Sequence, residues 1–195
     1  MPMIDNVLKC AGISLSDIDL IAVNKGPGSF TGIRIGVAAA KGLADTSQIK
    51  CCGVSTLKSM AYNLLPFNCI ACCVMDARCS QVYTAIFRIC DGNVERLIDD
   101  VAMSLNDLCE CLKGYDCKKI LVGDGADLCY NAFKEHLDNI EIASEAYKNQ
   151  NAVGVCFSAA YSDNYEMING NELVPEYLRL PQAERELNNK LKKGE

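Results

Sequence analysis

Apolar side chains near the start of the chain recur at helical spacing, and short strand-like runs follow them. A first helix is predicted by five apolar residues that share one face: Met3, Ile4, Val7, Leu8 and Ala11. Gly12 is placed to end this helix. We then predict a strand over 18–23, a helix over 31–44, a second short strand in "SQIKCCGV" and an amphipathic helix in "TLKSMAYNLL".

After Pro66 the pattern changes from helix–strand alternation to paired strands. "CIACCVM" is a nearly continuous apolar run, which is typical of a strand buried on both faces. "SQVYTAIFRIC" alternates between polar and apolar residues, and the turn at 91–93 joins it to "VERLI" as a hairpin. Helices are predicted in "LNDLCECLKG", "ADLCYNAFKEHL" and "NAVGVCFSAAYSD", and a strand in "KKILVGDGA".

Strands that alternate with helices indicate an α/β protein. We predict an N-terminal lobe over 1–66, a C-terminal lobe over 67–165 and a tail over 166–195 that is extended first and charged later. The first lobe offers one clear strand and one short one, which is too little sheet for its helices to cover. We therefore expect its N-terminal strands to be missing, through an upstream start codon or through trimming.

Composition and charge narrow the classes of function. The chain has 195 residues, a formal net charge of −6 and a pI of about 4.9. Clustered Lys and Arg carry phosphate affinity, so an acidic chain is a poor non-specific ligand for nucleic acid, and we expect any RNA to be reached through a partner. We find neither a long apolar run nor a signal-like opening segment, and we expect a cytoplasmic protein that does not enter a membrane.

Cysteines are numerous, with 13 in the chain. Cys69 and Cys72 have the C-x-x-C spacing of metal and redox sites, but a second such pair is absent. The single histidine, His136, lies far down the chain in a helix-like segment. We favour buried structural thiols over a metal site or a disulfide framework, and we predict no metal.

The segment with the most specific pattern is "AVNKGPGSFTGIRIGVAAAKGLA", over 22–44. Its glycine-rich loop is too long by one residue for a Walker phosphate loop, and Ile33 stands where that motif needs Lys. A Rossmann fingerprint fails at Thr31. A tight turn into a closely packed helix, capped by Ser29 or Thr31, explains the residues without a ligand. We call this turn the hallmark loop: Gly26, Pro27, Gly28, Ser29, Phe30, Thr31 and Gly32.

The helix after this loop carries small residues at four-residue steps: Gly32, Gly36, Ala40 and Ala44. Interior glycine costs about 1 kcal/mol relative to alanine, so close packing against another helix or a sheet is expected to offset that cost. Lys25 and Arg34 make the start of the helix positive, without an acidic residue in its first turn. An acidic group on a partner is therefore the expected neighbour of Arg34.

"KGPGSFTGIRIGVAAAKGLA" resembles the hallmark segment of the bacterial TsaB (YeaZ) family. "VMDARCSQVYTAIF" is similar to the hairpin of that family's second lobe, and "ILVGDGA" and "YLRLPQAERE" fit its later strand–turn and tail. The resemblance implies a two-lobed actin-like ATPase (ASKHA) fold. It also implies a non-catalytic partner of TsaD, the subunit that transfers threonylcarbamoyl to adenosine 37 of tRNA, in a complex with TsaE.

The resemblance also implies an interface made by the helices before and after the hallmark loop, which supports a homodimer when TsaD is absent. Carried onto this chain, the interface residues are Met3, Ile4, Val7, Leu8, Ala11, Ile33, Arg34, Gly36, Val37, Ala40, Lys41 and Ala44. Transfer RNA would be contacted only indirectly. No cofactor is assigned to the chain alone, and ATP or ADP at a shared TsaD–TsaB–TsaE assembly stays open.

The resemblance also implies that two turns correspond to the nucleotide side of the superfamily, and their candidate residues are Asp76, Arg78, Gly123, Asp124 and Gly125. The first turn lacks glycines at its centre, and for the second turn we favour a β–α turn capped by Asp124. The alternative functions are an active actin-fold ATPase or phosphotransferase and a glycoprotease-like metal enzyme. The latter would need a histidine pair, which the chain lacks.

Overall fold

Helices surround two β-sheets in the part of the chain that the structure describes. The structure is a computed structural model, and it describes residues 1–78, 80–161 and 166–179. The smaller sheet pairs β1 (Leu20–Gly26) with β2 (Lys50–Ser55) in parallel. The larger sheet is mixed, with the order β5-β4-β3-β6-β7, and consists of β3 (Cys69–Asp76), β4 (Gln81–Cys90), β5 (Asn93–Ser104), β6 (Lys119–Val122) and β7 (Ile140–Ile142).

Seven helices connect and cover these strands within the described residues. They are α1 (Pro2–Ala11), α2 (Phe30–Ser47), α3 (Thr56–Ala61), α4 (Leu105–Lys113), α5 (Ala126–Phe133), α6 (Glu145–Lys148) and α7 (Ala152–Ala160). Short 3-10 turns occur at Leu15–Asp17, Tyr62–Leu64 and Gly170–Glu172. No helix among the described residues combines the length and apolar character that a membrane span requires.

Local sequence signals account for the ends of several elements. Gly12 ends α1 in the left-handed conformation, with φ of 69°, as predicted. Ser29 is the N-cap of α2, because its Oγ accepts a hydrogen bond from the Gly32 amide at 3.3 Å. Asp91 and Gly92 both have positive φ in the two-residue turn of the β4–β5 hairpin. The predicted hairpin is therefore confirmed.

The larger sheet is buried on both faces, as the apolar run over β3 predicts. Ile70, Cys72 and Val74 face the helices α4 and α5 in one core. The alternate residues of β3 face the other core with α3: Ala71, Cys73 and Met75. Strand periodicity divides the run between the two cores.

The smaller sheet is covered by α2 on one face and α7 on the other. Residues Gly170–Glu172 and the chain after them return to α2, while α3 packs on the larger sheet. The chain thus crosses between the two sheets more than once, and the lobe bounds near Pro66 stay a prediction. No strand in the described residues pairs with the outer edge of β1.

Three features differ from the sequence prediction. β1 starts at Leu20 and extends through Gly26, because the chain first forms a 3-10 turn at Leu15–Asp17. β5 continues past "VERLI" to Ser104, since its pairing with β4 resumes at Val101 after a register shift at the acidic residues Asp99 and Asp100. β7 and α6 have three and four residues, which is too short for either to show a period.

Candidate functional site

The hallmark loop joins β1 to α2, and its glycines permit close backbone contacts. Gly26 has φ of 137°, and a Cβ atom there would collide with the carbonyl oxygen of Glu176. At Gly28 a Cβ would lie 3.3 Å from Ile33 Cδ1 and 3.7 Å from Met75 Cε. The loop therefore touches its own helix, the larger sheet and the chain near the C-terminus.

The C-terminal segment, defined here as 173–179, lies across the loop. Leu173 is only 1% exposed and belongs to the core under α2. The Glu176 amide donates to the Lys25 carbonyl at 2.7 Å, and their side chains form an ion pair at 3.0 Å. Arg179 reaches the other sheet, where its Nη1 donates to the Ala77 carbonyl at 2.9 Å. This segment links the loop to both sheets.

Arg34 has a partner from within the chain. Its Nε donates a hydrogen bond to the Tyr177 hydroxyl at 2.9 Å. The guanidinium lies 4.6 Å from the centre of the Phe30 ring. Phe30 and Tyr177 stack with centroids 3.9 Å apart and planes 7° from parallel. The sequence analysis named Phe30 and Arg34 but not Tyr177, and it missed the cluster.

Four predicted interface residues of α2 are not available to a partner: Ile33, Val37, Ala40 and Ala44. They form the buried face of α2 against the smaller sheet, together with Leu173. The prediction for these four residues is therefore wrong. Their spacing marks a buried face, but the protein's own sheet covers it.

The small residues of α2 allow other parts of the same chain to pack closely against this helix. A Cβ on Gly170 would lie 3.0 Å from Ala44 Cβ, so the 3-10 turn approaches α2 closely. Lys41 donates to the carbonyl oxygens of Asn171 and Leu173 at 3.2 and 3.1 Å. A Cβ on Gly36 would lie 3.8 Å from Val23 Cγ2. Lys41 and Gly36 are half-buried, and Lys41 binds the chain's own backbone.

The predicted face on α1 lies mostly in solvent. α1 has no buried residue, although Ile4 and Leu8 line a groove with Leu43 of α2. Met3 is 82% exposed and Val7 67%. Ala11 is exposed, as is Arg34 on α2. The structure adds an exposed face on α2 formed by Thr31, Ile35, Ala38 and Gly42, of which Ile35 is 65% exposed.

The two candidate nucleotide turns touch each other. A Cβ at Gly123, where φ is 112°, would collide with the Val74 carbonyl oxygen, and one at Gly125 would lie 3.2 Å from the Asp76 amide nitrogen. Asp76 Oδ1 accepts a hydrogen bond from the Arg78 amide at 2.7 Å, so this carboxylate closes its own turn. Of the five candidates, Asp124 lines the cleft between the sheets, beside Met75 and the hallmark loop.

The cleft has a volume of about 440 Å³. Burial raises the pKa of Asp124, and backbone amides of its turn and of Asp76 partly offset that rise. Asp124 is the one charged residue among the described lining residues, and its charge is negative. Phosphate groups bind to cations or free amides, and of the amides at the start of α2 that of Gly32 is bound to Ser29 Oγ.

The C-x-x-C pair does not form a site. Cys69 and Cys72 face opposite sides of the larger sheet, because residues three apart on a strand point to opposite faces. Burial raises the pKa of Cys69 to about 11 and that of Cys72 to about 12. All cysteines that the structure describes are free thiols. His, Cys, Asp and Glu form no group of three or more suited to a metal in the described ranges.

Comparison with known proteins places the chain in a family. The family model for TsaD, tRNA N6-adenosine threonylcarbamoyltransferase, matches residues 1–187. A tRNA threonylcarbamoyladenosine biosynthesis protein, TsaB of Bacillus subtilis, is 33% identical over 185 residues, which cover 94% of this chain and 80% of that protein. The chain belongs to the TsaB (YeaZ) family. The resemblance seen in the hallmark segment is thereby confirmed.

Comparisons with other members of the TsaB family agree with this assignment. TsaB of Escherichia coli is 41% identical to this chain over 90 residues, which span 45% of this chain and 39% of that protein. The structure of YeaZ from Pseudomonas aeruginosa superimposes with a TM-score of 0.74 at 22% identity, covering 91% of this chain and 81% of that one. A second Pseudomonas aeruginosa structure, described as similar to peptidase YEAZ, has a TM-score of 0.75 at 23% identity. These two structures show that this TsaB-family chain shares their fold.

Proposed function

We propose that this chain is a non-catalytic subunit of tRNA threonylcarbamoyladenosine biosynthesis that binds a TsaD-like subunit. The observation that supports this most strongly is the exposed apolar face of α1, since the helix has no buried residue of its own. Amphipathic helices in soluble proteins bury their apolar face, so α1 is suited to packing against another protein.

The proposed contact surface combines α1 with the outer face of α2. Met3 and Val7 contribute from α1, and Ile35 contributes from α2. Burying a side chain of this size stabilises an assembly by about 1.5–3 kcal/mol, so three of them supply a useful hydrophobic centre. Arg34 adds a charged group beside it. The same face supports a homodimer when the TsaD-like subunit is absent.

We propose further that the fold is the two-lobed actin-like (ASKHA) architecture, with an incomplete first lobe. The larger sheet combines an antiparallel hairpin with parallel strands, in the order β5-β4-β3-β6-β7. The smaller sheet has two strands, and the outer edge of β1 is open within the described residues. Additional strands at that edge would complete the first lobe and give α2 and α7 a wider sheet to cover.

A TsaE-like ATPase is the proposed third member of the complex, and tRNA is reached through the TsaD-like subunit. The negative net charge of this chain supports indirect contact with tRNA. The cleft beside Asp124 offers no cation among its described lining residues, which supports a role without nucleotide turnover by this chain alone.

Reconstituted threonylcarbamoyl transfer tests this function. The TsaD-like and TsaE-like subunits are supplied with tRNA and substrates, with and without this chain, and threonylcarbamoyladenosine is quantified by mass spectrometry. We expect the chain to raise the yield. An unchanged yield in the presence of a folded chain would remove the proposed role.

A further inference from the structure

An exposed arginine, Arg34, is the fifth residue of α2. Arg34 is exposed, and in the described part of the chain no carboxylate forms an ion pair with it. The first turn of α2 contains no acidic residue.

The side chain of Arg34 is held in one orientation by two contacts. Phe30 lies under the guanidinium plane, and Tyr177 accepts the Nε hydrogen. The Nε–H is one of five N–H donors of the guanidinium, so the two terminal nitrogens keep their four hydrogens. Those two nitrogens form the fork that grips a carboxylate with two parallel hydrogen bonds. Because the side chain is already ordered, binding loses little rotamer entropy.

We infer that Arg34 is a preset anchor for a carboxylate of the TsaD-like subunit, and that Tyr177 is the positioning residue that sets it. This inference rests on the proposed function. The C-terminal segment thereby affects partner binding indirectly, because its Tyr177 orients the Arg34 side chain. It brings Tyr177 to the loop through the Glu176–Lys25 contacts and the buried Leu173.

Affinity for the purified TsaD-like subunit, measured by calorimetry, tests this role. Arg34→Ala is expected to weaken binding about 10- to 100-fold, because a charge-assisted pair is lost. Arg34→Lys keeps the charge but not the fork, and it should restore only part of that loss. Raising the salt to about 0.5 M should shrink the difference between wild type and Arg34→Ala.

Tyr177→Phe separates positioning from packing, since it removes the hydroxyl and keeps the stacked ring. We expect it to weaken binding about fivefold when Arg34 is present, and less than about twofold in the Arg34→Ala background. Tyr161→Phe removes an exposed hydroxyl on another surface and should leave the affinity unchanged. Thermal unfolding of each variant checks that the fold is retained.

Three results would overturn the inference. They are full affinity in Tyr177→Phe, an equal loss of affinity for Tyr177→Phe in both backgrounds, and full affinity in Arg34→Ala. These outcomes differ from failure of the proposed function, in which the wild-type chain itself does not bind the TsaD-like subunit.

Discussion

At the scale of single residues, Gly26 shows why the hallmark loop needs glycine. Its φ of 137° is unfavourable for other residues, and the Glu176 carbonyl oxygen occupies the space of a Cβ. The glycine therefore permits the approach of the C-terminal segment rather than of a phosphate group. This approach in turn brings Tyr177 onto Phe30.

Replacing Gly26 with alanine should lower the free energy of unfolding by about 2 kcal/mol or more, through backbone strain and the collision with Glu176. Urea denaturation of the isolated chain measures this. Gly42→Ala is the matched control, because Gly42 lies in α2 with no neighbour within 4 Å of an added Cβ. That control should gain up to about 1 kcal/mol. Equal stability of Gly26→Ala and wild type would contradict the assigned contact.

At the scale of elements, α2 has two faces with different roles. Its inner face packs on the smaller sheet and on Leu173, and its outer face carries Ile35 and Ala38 in solvent. Such a helix is suited to a scaffold protein. Its buried stripe stabilises the chain's own fold, and its exposed apolar patch is available to pack against a partner.

Enlarging an alanine on each face distinguishes the two roles. Ala40→Leu should lower the free energy of unfolding by about 1–3 kcal/mol, since the added atoms have no space in the core. Ala38→Leu, on the exposed face, should change it by less than about 0.5 kcal/mol. Chemical denaturation of both free chains gives the comparison. Equal costs would show that the faces of α2 are assigned incorrectly.

At the scale of the whole molecule, buried thiols link stability to pH. The pKa of Cys69 is raised to about 11 and that of Cys72 to about 12 by burial, whereas an unfolded thiol ionises near about 8.5. The folded state therefore binds more protons than the unfolded state above that pH. The contribution of these protonated thiols to the free energy of unfolding is fully present below about pH 8.5. It is lost as the pH rises towards 11.

The expected decline is about 1.4 kcal/mol per pH unit for each such thiol. Cys72→Ala removes one of them, so its unfolding free energy should fall less steeply than that of wild type between pH 8.5 and 10.5. The slopes are compared by denaturation at several pH values. The same slope in both proteins would show that the Cys72 thiol does not resist ionisation in the fold.

Helix caps and turn residues made much of this fold predictable from the sequence. Gly12, Ser29 and the Asp91–Gly92 turn act on neighbouring residues, so their effects can be read directly. The buried face of α2 was visible in its spacing, but the sequence does not say which surface covers it. The Arg34–Tyr177 hydrogen bond joins positions 143 residues apart, and only the tertiary fold brings them together.

The affinity of the isolated chain for the TsaD-like subunit is the decisive quantity for the scaffold role. We predict that Val7→Asp weakens this affinity by at least about tenfold in calorimetry, because it places a charge in the apolar face of α1. Val153→Asp, at a similarly exposed valine of α7, should bind as wild type does. Undiminished binding by Val7→Asp, or no binding by the wild-type chain, would contradict the role assigned to α1.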